Sequence, residues 1–235
     1  MNKTNIEWCD FTWNPYTGCR NTCGFCYARK LAEGRLKGRF GYENGFEPTF
    51  HPDRLQEPYK IKKPSKIFTV SMGDLFGDWM LPRKEDRGLS WIKLILQVVD
   101  DNPHHTFQFL TKYPQNLRLL DYQRPNMWVG TTVTTWIDFW RIRCLKKYTT
   151  GIKFVSFEPL HGDMQELDLT DIDWVIIGAE TGRRPGKITP EPDWIEDILC
   201  ATNEYDIPVF MKNNLKPYWN GIWRQEFPYD DTTAQ

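Results

Sequence analysis

Short apolar and β-branched runs recur along the chain, each ending in polar residues or glycine and most followed by a helix-length stretch. They are Glu7–Thr12, Ser65–Val70, Thr106–Leu110, Met127–Thr131, Lys153–Phe157, Asp173–Ile177 and Pro208–Met211. Read as strands separated by helices, they predict βα units and a parallel sheet. Trp91, Leu94, Ile95 and Val98 fall on one face of a helix expected over Arg83–Asp100. Further helices are expected from Cys26 or Tyr27 to about Leu36, over Pro114–Leu120, over Thr135–Lys147, and from Pro192 to about Tyr205. Residues 39–64 lack periodicity and carry Pro48, Pro52, Pro58 and Pro64, which predicts an extended insertion. The C-terminal tail reads as irregular, with frayed last residues.

Seven strands that each end in a polar cluster suit an α/β barrel, where the loops after the strands share one face and carry the chemistry. With 235 residues, the chain is short for eight full βα units. The fold expected is therefore α/β, a partial, open TIM-like barrel of six to seven parallel strands forming a single domain over residues 1–235. Asp74, Lys112, Glu158, Glu180 and Lys212 would stand at strand ends on its rim.

Composition narrows the setting. The N-terminus shows no apolar leader, and no apolar run reaches membrane-spanning length, so no membrane partner is expected. Six cysteines, three of them widely scattered, argue for a reducing cytoplasm rather than a disulfide framework. A net charge of −1 excludes a global polycation. Most of the eleven tryptophans, Trp128 and Trp174 among them, are expected in the core. Two basic runs remain, Arg29 to Arg39 and Lys60 to Lys66, interleaved with Phe40, Tyr42, Phe46 and Tyr59. They read either as a nucleic-acid contact or as a solvated face.

Between Thr17 and Ala28 lie Cys19, Cys23 and Cys26, spaced Cys-x3-Cys-x2-Cys. Thiolates packed this closely call for a metal that offsets their charge. A structural zinc site closes itself with four ligands. Here there is no second Cys-x2-Cys, and His51, His104, His105 and His161 are distant in sequence. A cubane cluster held by three cysteines keeps one iron open for a ligand that is not protein. Zinc, with Cys9 as fourth ligand, is the other reading.

The spacing, with Phe25 before the last cysteine, resembles the signature of the radical S-adenosylmethionine (SAM) superfamily. The resemblance implies a 4Fe-4S cluster on Cys19, Cys23 and Cys26, whose open iron chelates SAM. It implies cleavage of SAM to a 5′-deoxyadenosyl radical that abstracts hydrogen from a substrate. It also implies a six-unit barrel with the cluster on the loop after strand one, and an external one-electron reductant such as flavodoxin. Ser71-Met-Gly-Asp74 then occupies the segment that contacts the SAM amino group, although typical members carry Gly-Gly-Glu there. Asp74 would take the carboxylate role, and Ser71 and Gly73 would let the backbone approach; an ordinary turn is the alternative. Glu158 and Glu180 would bind SAM ribose hydroxyls or a substrate amine, or else make rim salt bridges to Arg183, Arg184 or Lys212. Lys112 would face a phosphate or the SAM carboxylate, or be a plain surface lysine.

Five segments, residues 12–19, 71–76, 107–112, 154–160 and 174–180, together resemble a narrower group of short radical-SAM-like proteins common in bacteriophages and mobile elements. Some of these are similar to enzymes encoded beside phage DNA-hypermodification genes. The resemblance implies an isomerase that rearranges an N-linked glycyl-thymidine to a C-linked one, with DNA or a nucleotide as substrate partner. A photolesion-repair lyase is a second enzyme reading. A non-catalytic zinc or iron–sulfur protein that binds nucleic acid or a partner is a third. No residue specifies the substrate, and the catalytic residues stay unassigned.

Overall fold

The computed structural model describes residues 1–81, 87–120 and 123–228. In chain order the elements are β1 (Asn2–Lys3), β2 (Phe11–Trp13), β3 (Tyr16–Thr17), α1 (Tyr27–Glu33), β4 (Thr49–Phe50), β5 (Lys66–Thr69) and α2 (Arg87–Asp101). There follow β6 (Thr106–Thr111), β7 (Met127–Thr132), α3 (Phe139–Tyr148), β8 (Lys153–Phe157), β9 (Trp174–Ile177), α4 (Pro192–Glu204) and β10 (Val209–Met211).

Eight strands form one sheet in the order β1-β2-β5-β6-β7-β8-β9-β10. Every neighbouring pair from β2 to β10 is parallel, and only β1 runs antiparallel, against β2. The parallel strands are the seven read from the apolar runs, because a strand flanked by neighbours on both sides and covered on both faces needs a continuous apolar stretch. β1, β3 and β4 went unread. Each is two residues long, below the length at which alternation registers.

The sheet is strongly curved. Five strand spacings separate β2 from β9, about 24 Å in a flat sheet. Yet Trp8, just before β2, meets Trp174 of β9 with ring centroids 6.2 Å apart. The backbone N–H of Asn213, just after β10, donates to Glu7 Oε1 at 2.9 Å. No strand pairing joins β10 to β1 or β2 among the described residues, so the sheet stays open.

Side chains alternate between two cores, as the pleat requires. Ile67, Phe107, Val129, Val155, Val175 and Val209 point outward to the helices. Trp8, Phe68, Trp128, Phe154, Trp174 and Phe210 fill the concave side. Gly130 of β7 makes room for this filling: a Cβ there would lie 2.4 Å from the Phe154 ring. Trp128 and Trp174 are thus core residues, as expected.

Helix α2 shows why the periodic reading needed one correction. Its buried residues are Ile92, Ile95, Leu96, Val98 and Val99, with Trp91 packed beside them, whereas Leu94 is 47% exposed. The residues Arg83 to Asp86 of the expected helix lie outside the described residues. Helix α1 stops at Glu33, earlier than the expected Leu36, because Gly34 caps it through an N–H to Lys30 O. The expected helix over Pro114–Leu120 is a 3-10 turn at Pro114–Leu119.

The insertion 39–64 is less extended than its prolines suggest. It contains β4, paired antiparallel with β3, and two 3-10 turns at Pro52–Gln56 and Pro58–Lys60. The tail past β10 carries few regular elements but is packed. Gln225 bridges Phe210, Phe227 stacks on Trp174 at 5.3 Å, and Lys66 of β5 lies over the Phe227 ring. The residues expected to fray, 229–235, lie outside the described residues. No helix among the described residues is long and apolar enough to cross a membrane.

Candidate active site

The loop after β2 carries the three cysteines across the C-terminal ends of the parallel strands, where a cavity of about 360 Å³ opens. Cys19, Cys23, Cys26, Ser71, Asp74, Lys112, Glu158 and Glu180 all line it. Residues as far apart in the chain as Ile6 and Lys212 line one cavity because the curved sheet points the strand ends at the same space.

Several contacts fix the cysteine loop. Gly18, at φ +92°, lies where a Cβ would come 2.3 Å from Glu47 O, so only glycine fits. Its N–H donates to Met72 O at 2.9 Å, and Gly73 stands against it so closely that a Cβ would be 2.7 Å from Gly18 O. Gly73 therefore welds the loop after β5 to the cysteine loop. Arg29 donates from Nη2 to both Cys19 O and Asn21 O at 2.9 Å and pairs with Glu33. The Tyr113 hydroxyl donates to Asn21 Oδ1 at 2.8 Å. Phe46 O accepts from Cys19 N, and Phe46 and Tyr42 are buried against Ala28 and Ala32 of α1. Arg29, Tyr42 and Phe46 are thus scaffold, while Lys30, Arg35, Lys37 and Arg39 of the same run are exposed. Tyr59 is likewise committed, to Asp101 at 2.6 Å. Phe40 remains 76% exposed.

The sulfurs receive backbone donors. Asn21 N–H points at Cys19 Sγ (3.4 Å), and Arg29 N–H points at Cys26 Sγ (3.3 Å), with Cys26 as N-cap of α1. Burial, reinforced by the Asp74 carboxylate, pushes the Cys19 thiol up to about 12. The proton therefore stays on this sulfur until a cationic centre displaces it. Among the described residues no three His, Cys, Asp or Glu converge on a single ion. A cubane makes a different demand, since each cysteine ligates a separate iron. Cys9 does not line the cavity. It packs on the inner aromatic cluster, and its thiol donates to Ile6 O at 3.8 Å.

The strand-end groups are more engaged than the sequence suggests. Asp74 is buried and accepts from Thr111 Oγ1 (2.7 Å), Lys112 N (2.9 Å) and Phe76 N (3.2 Å). Burial raises its carboxyl above the usual range while those donors pull the other way. It fastens the loop after β5 to the end of β6, and it caps no helix. Ser71 Oγ is bonded to Asn14, whose side chain also accepts from Met72 N, and Ser71 O accepts from the Tyr27 hydroxyl at 2.7 Å. Glu158, which precedes a cis peptide to Pro159, is ion-paired with Lys212. Glu180 is held by Arg184 at 2.6 and 2.8 Å and by His161 Nε2 at 3.0 Å. Burial alone would raise Glu180, but Arg184 and His161 outweigh it and hold the carboxyl below its usual range. Burial lowers His161 despite that carboxylate. Both glutamates thus carry the salt bridges that were the alternative reading, while still facing the cavity.

Lys112 differs. Its ammonium makes no ion pair among the described residues and lies 5.9 Å from the Phe25 ring centroid on the cavity wall. Phe25, between two of the cysteines, also meets the His161 ring edge-on at 5.1 Å. His51 accepts or donates with Thr17 Oγ1 at 2.8 Å beneath the loop. Two histidines distant in sequence therefore support the cysteine segment, though neither lines the cavity. Asn14, Tyr27, Tyr113 and His161 are the site residues that sequence reasoning missed, while Asn214, just past the last strand, accepts from Ala179 N–H and donates to Ala179 O. Their signal was position beside motif segments, and no spacing rule singles such residues out.

These features define an α/β protein with a mostly parallel sheet and a three-cysteine loop over a cavity at the strand ends. Residues 3–225 match the family described as protein of unknown function (DUF5131), and the chain belongs to it. No curated protein and no solved structure matches the chain.

Proposed function

We propose that the protein is a radical SAM enzyme whose Cys19, Cys23 and Cys26 hold a 4Fe-4S cluster with one iron open to SAM. The observation that carries this reading is the shared cavity: three thiols and five strand-end groups line one space. The curved, open parallel sheet suits the partial barrel of that superfamily. When bound, the cluster and SAM supply reductive cleavage and hydrogen-atom abstraction from an unactivated C–H bond. Electrons come from an external one-electron carrier such as flavodoxin, in a cytoplasm.

The chain's own residues have defined tasks in this proposal. Asn21 and Arg29 N–H groups point at two of the sulfurs, and Arg29 with the Gly18–Gly73 contact keeps the loop rigid. Asp74 positions Lys112, whose free ammonium receives a carboxylate or phosphate. Phe68, Val70 and Leu110 give the cavity an apolar wall that keeps water from the reacting carbon. The substrate in this reading is a nucleobase or its amino-acid adduct. Moving an amino acid from a C–N to a C–C link requires a C–H bond that acid–base side chains do not break.

Anaerobic purification tests the reading. A brown protein that releases methionine and 5′-deoxyadenosine from SAM on reduction supports it, and Cys23→Ala should abolish that release while the circular dichroism stays that of the wild type. A colourless protein holding one zinc, or unchanged cleavage by Cys23→Ala, overturns it.

A further inference from the structure

The loop after β7 and the helix it opens carry surface chemistry that the cavity does not use. Trp136 is 61% exposed, Ile137 64% and Trp140 37%. The same segment already has a proper core side, in Ile142 and Leu145, with Phe139 packed beside them. These indoles are therefore not misplaced core residues. Trp140, Arg143 and Lys147, at i, i+3 and i+7, share one stripe of α3, and Trp136 precedes them in the 3-10 turn Trp136–Asp138 that leads into the helix.

The cations of this segment also contact rings, Arg141 at 5.6 Å from the Trp140 centroid and Lys147 at 5.3 Å from that of Tyr148. Arg141 and Lys146, to the sides of the stripe, are paired with Asp138 and Asp168. Arg143 and Lys147 are exposed and make no ion pair among the described residues. Residues 136–148 hold four cations (Arg141, Arg143, Lys146, Lys147) against one carboxylate (Asp138), in a chain whose net charge is −1. The loop that leads into this segment starts at the cavity wall. Thr132 lines the cavity, and Thr134 O accepts from the backbone of His161, the residue that packs on Phe25.

Flat, exposed indoles followed by unpaired cations match one partner chemistry: phosphates for the cations and unpaired base faces for the rings. A duplex offers no free base faces, and a purely apolar partner would leave the cations without counter-charges. We infer that the outer stripe of α3 is a track for single-stranded nucleic acid that ends at the cavity mouth. This deepens the reading above, since it names the polymer that presents the substrate base, and it rests on surface residues outside the site.

The test is fluorescence anisotropy of the full chain with a fluorescein-labelled oligothymidylate of about 12 residues, within the site sizes usual for such tracks. Trp136→Ala with Trp140→Ala should weaken binding at least about tenfold, two stacking platforms being lost. Arg143→Glu with Lys147→Glu should weaken it and lower the slope of log affinity against log salt by about 1.4, roughly 0.7 for each phosphate contact. Cys23→Ala should bind as wild type, which separates this inference from the cluster chemistry. Thermal melting confirms that the surface variants fold. Wild-type-like binding by both double variants overturns the inference. So does a wild type that ignores the oligonucleotide, whether it then dimerises in sedimentation or binds anionic vesicles through the same residues.

Discussion

At Glu180 a nearly solvent-free carboxylate takes two hydrogen bonds from Arg184 and one from His161. Its folded carboxyl lies below the ordinary value of 4.5, so its contribution is complete above that pH and is lost as pH falls toward the folded value. Glu180→Gln should therefore lower stability by about 2 kcal/mol at pH 7. The gap to wild type should hold down to about pH 5 and narrow below pH 4.5. Denaturant titrations across that range check it; a gap that widens on acidification would refute the sign. At this scale the candidates were legible as types and positions, because a carboxylate or lysine ending an apolar run announces itself. The salt bridges of Glu158 to Lys212 and Glu180 to Arg184 were readable as an alternative, from charges at or just past the strand ends. Nothing in the chain's periodicity links Asp74 to Thr111, since that pair depends on how the strand ends meet.

Among elements, the cysteine loop is fixed by contacts with segments far from it in sequence. Gly18 is pressed against Glu47 of the insertion and Gly73 of the loop after β5, whereas a Cβ on Gly24, inside the same loop, meets nothing within 4 Å. Gly18→Ala should cost about 2 kcal/mol or more, from left-handed strain plus the clash, and should displace the thiols. Gly24→Ala should stay within about 0.5 kcal/mol of wild type. Chemical denaturation with thiol-reactivity rates measures both, and equal effects would show that the loop is not held where the structure puts it. The parallel strands were readable because each is an uninterrupted apolar run. Within the insertion, the packing of Tyr42 and Phe46 was not readable, because they look like surface aromatics beside basic residues until α1 covers them. The exposed tryptophans of the α3 segment went unnoticed for the converse reason: in sequence a tryptophan beside isoleucine and phenylalanine reads as core.

Taken whole, the molecule uses curvature to make a site. A flat sheet would hold the loops after β2 and β10 about 29 Å apart. Here Trp8 reaches Trp174 across the concave side, and Asn213 reaches Glu7. The bend gathers three thiols, a free ammonium and two paired glutamates around one cavity. That the chain would be α/β with seven parallel strands was legible from alternation and length. That its tail would pair with the edge of β10 through Arg224 to Glu226, and stack Phe227 on Trp174, was not, because an irregular stretch carries no period. The most direct test of the central claim is metal analysis of anaerobically purified protein, joined to electron paramagnetic resonance of the reduced sample with and without SAM. The account predicts about four irons and about four sulfides per chain and a spectrum that changes when SAM is added. One zinc per chain, or a cluster signal indifferent to SAM, would contradict it.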